Sequence, residues 1–138
     1  NKYKSLLIVA SKLHSIGSTL NFYKSNDNAF DFILNGLNYD FSHNSRVIVA
    51  HTIKFSKKSL PTKSEILKYE ELLPSLNVMQ WMSFMISLNI AINQDLSRPK
   101  VSYTLQNNVL KIVLSNNSFM IQSNIDKLES PEDLIIEL

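Results

Sequence analysis

The 138-residue chain contains no cysteine. That excludes disulfides, thiolate metal sites and a cysteine nucleophile, and it fits a reducing compartment, so the cytoplasm is the expected location. An excess of one charge is also lacking, since 14 Lys and Arg against 12 Asp and Glu leave a net charge of only +2. No basic-then-apolar leader ending in small residues opens the chain, and no repeat or low-complexity segment interrupts it. Long apolar runs are reduced to one, Leu76 to Ile92. Gln80, Ser83, Ser87 and Gln94 fall along it at helical spacing as a polar stripe, which predicts a buried helix in a water-soluble domain rather than a membrane span.

What is present suffices for one ordinary domain with a small appendage. Hydrophobic residues make up 44% of the chain, enough to bury a core at this length. Asn1 stands in what reads as the middle of a helix, so a piece of a longer protein is expected. Residues 3–14 place Tyr3, Leu6, Val9, Ala10 and Leu13 on one helical face, and Gly17 follows as a stop. Asp27 to Asn35 repeats the pattern with Ala29, Phe30, Ile33 and Leu34, and Gly36 stands where a left-handed cap belongs. Ser42 caps a third helix over about 43–56, with Val47, Ile48, Ala50 and Ile53 facing the core. Thr62 and Glu65 have capping-box spacing, so a fourth helix should run from Lys63 to Leu72 and stop before Pro74. The apolar run is the fifth.

Past Arg98-Pro99 the period changes to alternation. Val101, Tyr103 and Leu105 alternate with polar residues, Asn107-Asn108 suits a tight hairpin turn, and Val109 to Leu114 forms the return strand. A helix over Met120 to Leu128 follows, Ser130-Pro131 breaks it, and Leu134 to Leu138 reads as a last strand. The expected fold is α+β: a helical unit over residues 1–97 and a small α/β element over 98–138.

Several side-chain groups invite a functional reading. Lys54, Lys57, Lys58 and Lys63 put four positive charges in one stretch with no acid until Glu65. Part of this is helix-dipole complementarity at the end of the third helix, but several ammonium groups along a groove also attract a phosphate chain. Aromatic side chains for base stacking are scarce beside them, Phe55 excepted, which argues against single-stranded nucleic acid. His14, His43 and His51 can be imagined as a metal cluster or acid–base group, but a structural role is expected of all three. His14 should satisfy carbonyls at a helix end, His43 lies in the first turn of the third helix, and His51 is placed on that helix's flank. Asp126, Glu129, Glu132, Asp133 and Glu137 lack any metal-loop spacing and read as a solvated face. Met79, Met82 and Met85, beside Trp81 and Phe84, read as core or interdomain packing.

The segment Ala10 to Gly17, Ala-Ser-Lys-Leu-His-Ser-Ile-Gly, resembles the helix-borne His-Asp motif of HD-type metal phosphohydrolases with Ser15 in place of the aspartate. Further matches are Leu6 to Ala10, Asn28 to Leu34, Ile48 to Lys58, and Leu72 to Leu76 leading into the apolar helix. Taken in order, with the closing strands, they resemble the C-terminal half of the exopolyphosphatase and guanosine pentaphosphate phosphohydrolase (Ppx/GppA) family. The resemblance spans nearly the whole chain.

It implies a degenerate HD-like bundle followed by a small α/β element. The full-length parent would hydrolyse terminal phosphates of polyphosphate or guanosine pentaphosphate with Mg²⁺, using phosphate loops and a catalytic carboxylate in N-terminal actin-like domains that these residues do not contain. His14 matches the motif histidine, Ser15 its acidic partner, and Asn28 and Ser56 fall where histidines often stand. With three of four positions changed, no metal is expected in this segment, because a hydrolytic metal needs about three protein ligands. The implied role is a non-catalytic accessory domain that binds polyanion and packs against the catalytic half or in a homodimer, with neither membrane nor nucleic acid as a partner. Two alternatives stand beside it: a stand-alone metal phosphohydrolase and a pure protein-interaction module.

Overall fold

The computed structural model describes residues 2–16, 24–36 and 41–138. In chain order these form α1 (Lys2–Leu13), α2 (Ser25–Gly36), α3 (His43–Lys54), α4 (Lys63–Ile66) running into a 3-10 turn (Leu67–Tyr69), and α5 (Leu76–Asn93). A hairpin of β1 (Val101–Gln106) and β2 (Val109–Leu114) follows, then α6 (Phe119–Asp126), a 3-10 turn (Pro131–Asp133) and β3 (Ile135–Glu137). The fold is α+β and mainly helical.

Each boundary has a local cause. Ser42, Ser75 and Ser118 cap α3, α5 and α6, their hydroxyls accepting from the N–H groups of Ser45, Val78 and Ile121, which satisfies donors that a helix start leaves without partners. The hairpin turns at Asn107 and Asn108, with φ of 48° and 63°, a conformation asparagine tolerates better than most residues. β2 pairs antiparallel with β1 and parallel with β3, giving the order β1-β2-β3.

Two apolar clusters form the interior. The first gathers Leu6 and Ala10 of α1, Ala29, Phe30 and Ile33 of α2, the middle of α3, Ile66, Leu73, and Met79, Met82 and Ile86 of α5. The second joins Phe84, Leu88, Ala91 and Ile92 of α5 to Ile112, Ile121, Ile125 and Leu134. α5 is the common wall, so opposite sides of one helix serve two cores, as its nearly uninterrupted apolar sequence requires.

The structure corrects several expectations. Tyr3 is exposed, while Leu7 packs against the first core. Gly36 is the last residue of α2 and has no positive φ, so the helix ends without a left-handed glycine there. The proposed stop at Gly17 lies outside the described residues. The fourth helix does not reach Leu72: α4 ends at Ile66 and the chain tightens into the 3-10 turn, which carries Tyr69 against the ring of His51. Along the polar stripe of the apolar run, Ser83 and Ser87 are buried and Gln80 half-buried within α5, while Gln94, just past its end, is exposed. No described helix is long and apolar enough to cross a membrane.

Candidate functional site

The loop that carries the basic residues is anchored by side chains from three other parts of the fold. As α3 ends, the Phe55 N–H donates to the His51 carbonyl (2.9 Å) and the Ser56 hydroxyl to the Thr52 carbonyl (2.6 Å). Beyond that point the backbone has no ladder to join, and its polar groups need other partners. The Ser56 carbonyl accepts from Asn26 Nδ2 of α2 (3.0 Å), and the Lys57 carbonyl accepts from Ser87 Oγ of α5 (3.0 Å). The Lys58 carbonyl accepts from the Glu129 N–H (2.8 Å), and the Leu60 N–H donates to Glu129 Oε2 (2.8 Å). Gln80 Nε2 donates to the Pro61 carbonyl (3.1 Å). The stripe residues Gln80 and Ser87 therefore hold the loop.

Lys57 and Lys58 project from this anchored backbone at the mouth of a cleft of about 190 Å³. Its walls include Ser56, Ser87, Gln94 and Asn124 above an apolar floor, and among the described residues that line it none is a carboxylate. The buried amide nitrogen of Asn124 has no hydrogen-bond partner among the described residues. Two ammonium groups, an amide donor without a partner and no anion make a cleft suited to negative charge.

The other two lysines stand apart. Lys54 extends over the Phe30 ring, its Nζ 4.5 Å from the centroid, a cation–π contact that occupies it with packing. Lys63 opens α4 and borders a separate groove together with Glu65 and Glu129, where acids offset its charge. The carboxyl of Glu65 is held below its ordinary pKa, first by the Thr62 N–H (2.8 Å) and also by the Thr62 hydroxyl (3.0 Å) and the charges of Lys57 and Lys54.

His14 follows α1, its ring Nδ1–H placed to donate to the Ser11 carbonyl (2.8 Å). Ser15 is exposed in the turn after it, Asn28 is half-buried in α2, and Ser56 is buried with its hydroxyl committed to Thr52. This donor set does not fit a divalent ion: the imidazole and the serine hydroxyl with known partners are both engaged with backbone carbonyls, and neither Ser15 nor Asn28 brings a charge. Among the described residues, no three His, Asp or Glu side chains come together in a metal-holding group.

His51 is not on a flank. It is 2% exposed, with its Nδ1 2.8 Å from the Val47 carbonyl and its ring among Phe30, Phe55 and Tyr69. Burial, and to a smaller extent the charge of Lys54, lower its pKa below the ordinary histidine value, against the opposing effect of the Val47 hydrogen bond.

Sequence reasoning missed the roles of Glu129 and Glu132. Glu129 fixes the lysine loop, while Glu132 accepts from Asn77 Nδ2 (2.7 Å) and Trp81 Nε1 (3.1 Å) of α5. These partners lie 51 to 69 residues away in the chain, and no local pattern signals such a pairing. Compared with models of known protein families and with curated protein sequences, the chain matches none.

Proposed function

We propose that this chain is a non-catalytic module that binds phosphate-rich polyanions through Lys57 and Lys58, as the accessory part of a Ppx/GppA-type phosphatase would. The observation that carries the reading is the cleft beneath those lysines, free of carboxylates and cut into a loop anchored by α2, α5 and Glu129. An anchored loop loses little conformational entropy when an anion docks, so a modest number of charges can still bind. Lys54 adds to the local field without a direct contact. In the parent enzyme the ligand is polyphosphate or guanosine pentaphosphate, hydrolysis with Mg²⁺ belongs to the actin-like domains, and the setting is the cytoplasm.

Binding of medium-length polyphosphate, measured as a function of salt, tests this. Each lysine that releases a counterion contributes to the salt slope, so changing Lys57 and Lys58 together to alanine should lower affinity and reduce the slope by roughly two. Absent affinity, or affinity indifferent to the double substitution, overturns the polyanion role and leaves a protein-interaction module. Stoichiometric, tightly held iron, manganese or zinc in the purified chain would instead favour a stand-alone metal hydrolase.

A further inference from the structure

β1 is the outer strand of its sheet, and the order β1-β2-β3 leaves its far edge unpaired among the described residues. Its sequence, Val-Ser-Tyr-Thr-Leu-Gln, contains no charge and no proline, two of the devices that keep an open strand from pairing with another chain. The face it turns toward α5 is open as well. Tyr103 pairs with Ile112 and Leu105 with Leu110, so these side chains share one face of the sheet. Ile112 is 1% exposed within the second core, yet Tyr103 and Leu105 remain 52% and 58% exposed. Between them and Trp81, Phe84 and Met85 of α5 runs an apolar groove of about 350 Å³.

We propose that the β1 edge is the seam of a two-fold homodimer, in which β1 pairs antiparallel with β1 of a second copy. A two-fold axis normal to the sheet keeps both inner faces on the same side. The two half-covered grooves then meet across the seam and close into one apolar layer between two α5 helices, over a six-stranded sheet. With Thr104 opposite Thr104 of the second copy, Tyr103 lies opposite Leu105 of that copy, an aromatic–aliphatic pair of the kind that stabilises neighbouring strands.

Charge favours the same arrangement. Arg98 and Lys100 precede β1, whereas the turn end of the hairpin carries Glu132 and Asp133, whose carbonyls accept from Asn108 Nδ2 (2.9 and 3.1 Å). Antiparallel pairing brings the basic end of one copy toward the acidic end of the other, twice by symmetry; parallel pairing would oppose like charges. The interface is isologous, so assembly stops at two.

The absence of cysteine makes the test direct. Sedimentation equilibrium of the full chain should give a dimer at micromolar concentration, and Leu105→Lys, at an exposed position, should weaken association by roughly tenfold or more with circular dichroism unchanged. Under mild oxidation a Thr104→Cys variant should form a disulfide-linked dimer far faster than a Gln122→Cys control, because self-opposed strand residues lie within disulfide reach. A monomeric chain, or crosslinking at 104 no faster than at 122, overturns the proposal and assigns the groove to a different partner. If Leu105→Lys fails to fold, the comparison of 104 with 122 decides alone.

Discussion

Protonating His51 places a cation inside a box of three aromatic rings, one helical turn from Lys54. Because its folded pKa lies below the ordinary 6.5, the unfolded chain takes up the proton first. Its contribution to stability is complete above 6.5 and is lost as the pH falls from there toward the folded value, with a slope of at most about 1.4 kcal/mol per pH unit. Urea midpoints should therefore decline as the pH is lowered below 6.5, and His51→Phe, which keeps a ring in the box, should flatten that decline. Glu65 and Asp95 also have lowered pKa values, but their contributions begin to be lost only as pH falls below the ordinary carboxylate values of 4.5 and 3.8, at lower pH than the onset for His51. A second residue-scale prediction concerns Leu96. It holds φ at 61° while 80% exposed, a backbone region that costs a branched side chain strain without any burial to offset it. Leu96→Gly should raise stability by about 0.5–1 kcal/mol in the same urea titration.

Between residues and whole molecule, the loop over residues 55–62 behaves as an element in its own right, held by Asn26, Gln80, Ser87 and Glu129. Removing the Glu129 carboxylate leaves the Leu60 N–H to water and loosens the strap that presents Lys57 and Lys58. Glu129→Ala should cost about 1 kcal/mol by thermal or urea unfolding, and Glu129→Gln, which keeps an acceptor, clearly less. None of this was legible in the sequence, and the reason is physical. Helices and hairpin announce themselves through local signals: the serine caps, the 3.6-residue spacing in α2 and α3, the Asn107-Asn108 turn. These depend on neighbours a few residues apart. The anchoring of the loop and the burial of His51 depend on contacts made only after α2, α5 and the segment following α6 have packed together. The fourth helix failed for the same reason: its start was marked by Thr62 and Glu65, but its early tightening serves the contact of Tyr69 with His51, which no spacing encodes. The candidate site was half legible. All four lysines were visible as a charge run, while their division between a cleft, an aromatic ring and an acid-lined groove was not.

At the scale of the whole molecule, the division at residue 97 separates helices from strands in the sequence but does not separate the packing. Met79, Met82 and Ile86 of α5 belong to the first core, and Phe84, Leu88, Ala91 and Ile92 to the second. Glu132, just before β3, also reaches back to α5 through Trp81 and Asn77. With one helix as the wall of both cores, loosening either side removes support from the other, and the chain should unfold in a single cooperative step. Ile86 and Ile92 are both fully buried, one in each core, and provide the test. Ile86→Ala and Ile92→Ala should each cost about 2–5 kcal/mol through lost burial and the cavity left behind. In both variants, far-UV circular dichroism, dominated by the helices around the first core, and fluorescence of Trp81, beside the second, should report the same lowered midpoint. If Ile92→Ala instead shifts the Trp81 transition while most of the helical signal persists to the original midpoint, the two cores are independent units and α5 does not couple them. That result would make the sequence boundary at residue 97 a true folding boundary, and it would leave the lysine loop tied to the helical side through Asn26, Gln80 and Ser87 but without its Glu129 anchor once the strands have melted.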